Sequence, residues 1–160
     1  MLNVLDVSRY VVNYSHRKNY IISNLRLQKL LYFIQAYYLA FTEEGKPCFD
    51  AEIQAWDFGP VVPEVYHEYK HFGSGTIPVV GCYIVNDEDD IWSAKVVEFD
   101  DEVIPTEDRE IIESVVDVFS DYSTTGLVEL THNQRPWKQA YVKSRNRVID
   151  HKAIKEYFLD

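Results

Sequence analysis

His67-Glu68-Tyr69-Lys70-His71 reproduces the pattern H-E-x-x-H. On a helix this spacing sets two imidazoles one turn apart, able to share a zinc ion, with the glutamate as general base. The surroundings argue against that chemistry. The extended motif needs a third histidine at position 77, which is Ile77. Gly73 closes the predicted helix just after His71. The following segment reads as strand, so no helix returns a carboxylate ligand. His67 and His71 are therefore weak candidate zinc ligands, and exposed histidines are the better expectation. Thr131 and His132 pair a hydroxyl with an imidazole, but a lone histidine beside a hydroxyl is more often structural. Cys48 and Cys82 have neither metal nor redox spacing and read as reduced thiols. The acidic run 86–90 lacks the alternating oxygens, central glycine and closing glutamate of a calcium loop, and reads as solvated. Nucleophile elbow, P-loop and dinucleotide fingerprint are all missing. The expectation is a protein without turnover chemistry, cofactor or bound metal.

The elements that would position these residues centre on Leu25 to Phe41. Thirteen of these seventeen residues are apolar or aromatic. Leu27, Leu30, Leu31, Ile34, Tyr37, Tyr38 and Phe41 recur at steps of three and four, and Leu25, Tyr32, Ala36, Leu39 and Ala40 fill the opposite face. A helix apolar nearly all round is a buried one. Arg26, Gln28, Lys29 and Gln35 interrupt the run, which falls short of the ~20 apolar residues of a membrane span. Lys29 sits among apolar neighbours, so burial would demand a carboxylate or carbonyl partner for it.

Around that hub the chain predicts other elements. Asn3 caps a first helix with a stripe of Val4, Val7, Tyr10 (or Val11) and Tyr14, ended by the basic run His16 to Lys18 and Asn19. Residues 52–58 read as a short extended segment that Gly59-Pro60 breaks. Pro63 opens a helix over 64–72. Residues 79–85 and 91–99 read as two strands across the acidic loop. A helix runs from Pro105-Thr106 to about Tyr122, on a stripe of Ile111, Ile112, Val115, Val116 and Phe119. Residues 123–126 read as a connector, 127–132 as one or two helical turns, and Pro136-Trp137 as another short helix. Asp150 caps the last helix, with Ile149 stapled onto Ile154. The fold class expected is mostly α (α+β): one domain, 1–160, built on helix 25–41 with a small β insertion.

Composition narrows the function classes. Sixteen basic against 26 acidic residues leave a net charge of −10. That balance disfavours nucleic-acid binding and favours a basic protein partner. The basic residues of 135–152 form a local patch, read first as a solvated face. The N-terminal segment lacks the basic start, apolar run and cleavage site of a signal peptide, so a cytoplasmic protein is expected.

Three segments together resemble one family. LRLQKLLYF at 25–33 is similar to its L-x-L-Q-K-L-x-Y signature. AWDFGPVVPEVY at 55–66 is similar to its A-W-x-x-G-P-V-x-P-x-V-Y block. Leu130-Thr131-His132 with Pro136-Trp137 is similar to its L-T-H-x-x-x-P-W element. The family is the Panacea domain family, SocA-like antitoxins formerly described as phage-associated proteins, and the resemblance spans roughly residues 5 to 158. It implies an antitoxin that neutralises a cognate toxin by protein contact, from a two-gene operon of a bacterium or prophage. One branch of the family delivers its toxin to the ClpXP protease. Some members add a DNA-binding domain, for which this chain has no room. The insertion over 76–99 lies where the family varies, so it is expected to contribute to partner choice. Bulky aromatics beside stiff prolines suit interface anchors. The residues expected at the partner surface are Trp56, Gly59, Pro60, Val61, Pro63, Tyr66, Thr131, His132 and Trp137, with Gln28 and Lys29 as structural motif residues. The alternatives are a zinc hydrolase using His67, Glu68 and His71, or a prophage interaction protein with a non-toxin partner.

Overall fold

The structure is a computed structural model that describes residues 1–87 and 90–160. Glu88 and Asp89 of the acidic loop lie outside the described residues. The elements, in order, are α1 (Val4–Arg17), α2 (Asn24–Phe41), β1 (Gln54–Trp56), β2 (Gly59–Val61), α3 (Pro63–Tyr69), β3 (Cys82–Asp87), β4 (Asp90–Glu98), α4 (Thr106–Val118), α5 (Thr124–His132), α6 (Arg135–Ala140) and α7 (His151–Leu159). Short 3-10 turns follow α3 at Lys70–Phe72 and precede α4 at Asp101–Val103. The domain is mostly helical, with two small antiparallel two-stranded sheets.

Helix α2 is the hub, as its apolar circumference predicts. It touches α1, α3, α4, α5, α7 and β2. Ser23 caps it, the hydroxyl accepting from Arg26 N at 3.2 Å. Leu27, Leu30, Leu31, Tyr32 and Ile34 are essentially without exposure. Its polar side chains are buried too, and they tie other segments of the chain to it. Gln35 donates to Phe49 O at 2.9 Å and accepts from Cys48 N at 2.8 Å. Gln28 accepts from Val62 N at 2.9 Å and donates to the Asn24 side chain at 2.8 Å. Tyr32 donates to Gln134 Oε1 at 2.8 Å. Arg26 donates to Phe119 O and Tyr122 O, both at 2.7 Å. Apolar packing supplies the driving force, whereas these bonds fix which loop lies where, because a buried polar group without a partner is costly.

Several expected boundaries shift. Gly59-Pro60 does not break an extended segment. It starts β2, which pairs with β1 in the register Gln54 to Val61 and Trp56 to Gly59 across the turn Asp57-Phe58. Helix α4 ends at Val118 rather than Tyr122, where Arg26 takes the freed carbonyls. The connector expected over 123–126 is instead the first turn of α5: Ser123 is its cap, accepting from Gly126 N at 2.9 Å. Asn3, Pro63 and Asp150 start their helices as expected, and Ile149 and Ile154 are both buried.

Candidate functional site

The three signature segments meet at one point. Lys29 has no solvent exposure and its Nζ donates to Pro60 O at 2.8 Å. The backbone there is Gly59, at φ +111°, a conformation that side chains other than glycine's rarely adopt. A Cβ on Gly59 would stand 2.8 Å from both Lys29 Cε and Thr131 Oγ1. Thr131 is buried in turn, its hydroxyl donating to Leu127 O and Val128 O in α5. The lysine of the first segment, the Gly-Pro turn of the second and the threonine of the third therefore pack as one node. Its consequence is electrostatic as well as steric: burial pushes the Lys29 ammonium down to about 7.

From this node an aromatic ledge reaches the surface. His132 lies flat on Trp137, ring centroids 4.1 Å apart, and Trp137 lies flat on Tyr141 at 4.5 Å. Trp137 Nε1 donates to Trp56 O at 2.8 Å, and Tyr141 OH donates to Asp57 Oδ1 at 2.5 Å. Trp56 meets Tyr66 edge to face at 4.9 Å. Phe58, at the tip of the β1–β2 turn, is 65% exposed. A cleft of about 480 Å³ opens beside Trp56, Phe58 and Tyr66, with Asn24 and Gln28 in its lining and Lys70 at its edge. Asn24 and Gln28 already bond to each other and to backbone, so they offer the cleft a settled polar floor.

The chemistry available here is recognition. Burial lowers the His132 pKa, against a hydrogen bond to the Asp57 backbone that raises it, and Lys29 lowers it further. Neutral imidazole is thus the favoured form. Its Nε2 is shielded and lacks a hydrogen-bond partner among the described residues.

The expected partner residues divide into two groups. Trp56, Tyr66, His132 and Trp137 are half-buried and form the ledge or flank it; Pro63 is half-buried but lines a separate hollow with Ala51, Glu52 and Glu64; Gly59, Pro60, Val61 and Thr131 are buried. Of these four, Gly59, Pro60 and Thr131 lie within the fold, and Val61, though buried, lines the cleft. Phe58, Asp57 and Tyr141 join the ledge without having been singled out. An apolar residue at a two-residue hairpin turn was the available signal for Phe58. His67 and His71 are exposed and stand on different elements, α3 and the 3-10 turn after it. His67 lies edge-on to Tyr66 and His71 lies against Phe72. Each imidazole thus packs on its own aromatic neighbour. Among the described residues no three His, Cys, Asp or Glu side chains gather as a metal site, and no helix is long and apolar enough to cross a membrane.

Comparison with known proteins gives the same picture of relatedness. The chain is 35% identical over 122 residues to Antitoxin SocA of Caulobacter vibrioides (strain NA1000 / CB15N), a match covering 72% of this chain and 58% of that protein. It therefore spans little more than half the length of that curated relative. No solved structure matches. The family model for the antitoxin SocA-like Panacea domain matches residues 27–138, from the middle of the α2 signature through Trp137, and on this ground the chain belongs to the SocA-like Panacea family.

Proposed function

We propose that this chain is the antitoxin of a toxin–antitoxin pair, acting in the cytoplasm by direct contact with its toxin and without turnover chemistry of its own. Family membership is the observation that carries the reading. The site is compatible with it. A rigid node of Lys29, Gly59 and Thr131 backs a ledge whose exposed parts are aromatic, and aromatic anchors on stiff backbone bind at low entropic cost. The net charge of −10 suits a toxin with a basic face.

Co-expression with the adjacent toxin gene is the test. Growth should be rescued, and the two purified proteins should form a complex. Absence of both would sink the reading for this pair. Rescue that survives loss of ClpXP identifies simple occlusion, and rescue confined to cells with ClpXP identifies delivery to the protease.

A further inference from the structure

The β3–β4 hairpin has an inner and an outer face of different character. Its base is clamped to α1. Asn13 donates to Val80 O at 2.8 Å and accepts from Val80 N at 2.7 Å, and His16 Nε2 bonds with Ile77 O at 2.6 Å. On the inner face the Arg9 guanidinium lies 3.5 Å from the centroid of the Tyr83 ring. Tyr83 and its partner Val97 are half-buried. The next pair, Ile84 and Val96, must therefore point the other way. Trp92 lies further along β4, beyond Lys95 and within the stretch where the register shifts. Ile84, Val96 and Trp92 are 66%, 70% and 89% exposed. Large apolar side chains this exposed on one two-stranded hairpin, two of them paired across its outer face, mark a contact surface.

Charge selects what covers it. Residues 82–98 carry Asp87, Glu88, Asp89, Asp90 and Glu98 against the single base Lys95, and Asp100, Asp101 and Glu102 follow. A second copy would bring the same acidic fringe and a further −10, so self-association is opposed. Phosphate-bearing surfaces are repelled for the same reason. We propose that the outer face of β3–β4 docks the cognate toxin, taking an apolar segment of it flanked by lysines or arginines. The proposal rests on the antitoxin reading and adds to it the face and the chemistry of the partner. The clamp on α1 gives the hairpin a fixed orientation, so docking costs little ordering.

The experiment titrates the purified toxin encoded beside this gene against three forms of the full chain. These are wild type, Trp92→Ser alone, and the triple change Ile84→Ser, Val96→Ser and Trp92→Ser. Exposed positions tolerate such changes, so circular dichroism and the thermal midpoint should be nearly unaltered. Trp92→Ser should weaken binding by about 30-fold, as loss of an aromatic anchor does. The triple variant should weaken it further and abolish growth rescue. Should the triple variant fail to fold, Trp92→Ser decides the matter. Wild-type binding with both variants within about 3-fold overturns the docking face and leaves the antitoxin reading intact. A wild type that binds no toxin and rescues no growth fails at the earlier step and removes both. A wild-type dimer in light scattering that the triple variant dissociates assigns the face to a second copy and overturns the proposal.

Discussion

Lys29 Nζ donates to the carbonyl of Pro60 at 2.8 Å from a position with no solvent exposure. The bond joins the helix at the centre of the fold to the turn that presents Trp56 and Phe58. It also fills the space that a glycine leaves open, since Lys29 Cε would lie 2.8 Å from a Cβ on residue 59. Lys29, Gly59 and Thr131 therefore serve both core packing and the placement of the ledge, and a change at any of them should register in both.

Stability should rise with pH near neutrality because of Lys29. Burial pushes its pKa down from 10.5 to about 7. Between those values the unfolded chain holds a proton that the folded chain does not, so raising pH favours the folded state, by at most about 1.4 kcal/mol per unit. Below about 7 the cost of charging the buried amine is fully present. Cys48 opposes this from about 9 upward, as burial raises its thiol to about 12; Tyr32 and Tyr38, raised by burial, add to the opposition above 10. Urea unfolding at pH 7, 8 and 9 should show a rising curve for wild type and a flatter one for Lys29→Met. Equal slopes would mean that Lys29 is already charged in the folded state and takes up no proton on unfolding in this window.

Gly59→Ala should destabilise by roughly 2–5 kcal/mol, because strain at positive φ adds to overpacking. Gly73 is the internal comparison. It too has positive φ, +58° with ψ −130°, but nothing lies within 4 Å of a Cβ there, so Gly73→Ala should carry the dihedral strain alone, about 1–3 kcal/mol. Thermal unfolding of the two variants separates space from dihedral strain. Equal losses would show that contact with Lys29 and Thr131 is immaterial.

The parts of the fold legible in the sequence are those with local causes. The apolar circumference of 25–41 gives a buried helix wherever it is placed, and Asn3, Pro63 and Asp150 start helices by satisfying or lacking the first amides. The β1–β2 hairpin was hidden because Gly59 and Pro60 are poor strand formers. They are held in β2 by Lys29, a residue thirty positions away in the chain. The end of α4 was misplaced for a similar reason: the stripe continues to Tyr122, but Arg26 captures the carbonyls of Phe119 and Tyr122. At the site, the order of the motifs made the family recognisable while saying nothing of which residues face out. Gly59 and Thr131 turned out to be interior, and Phe58, lying inside the same block, turned out to be at the surface.

Leu31→Ala and Ile34→Ala should each destabilise by roughly 2–5 kcal/mol, since both side chains are fully buried in α2 and truncation leaves a cavity. Denaturant titration measures this directly. Losses under about 1 kcal/mol at both sites would show that α2 is not the centre of the core.

His71→Ala should leave stability and toxin neutralisation nearly intact. His67 and His71 are exposed and lie on successive elements, α3 and the 3-10 turn after it. Elemental analysis of the purified protein should find less than one zinc per chain. Stoichiometric zinc that disappears on mutating either histidine would reverse this conclusion and restore the hydrolase reading.

Association with the toxin should depend on salt more than dissociation does. Charge complementarity acts over the approach of two proteins, where screening is strongest, and less on the apolar contact once formed. With a net charge of −10 and the acidic fringe of the β3–β4 hairpin, the association rate should fall about 10-fold or more between 20 and 500 mM salt. The dissociation rate should change much less. Charge reversal at Asp87 and Asp90 should lower the low-salt association rate and flatten its salt dependence, while leaving the apolar face of Ile84 and Val96 in place. Stopped-flow mixing with labelled toxin reads both rates. A salt-independent association rate would show that the partner does not present a basic face, and the acidic surface would then serve solubility alone.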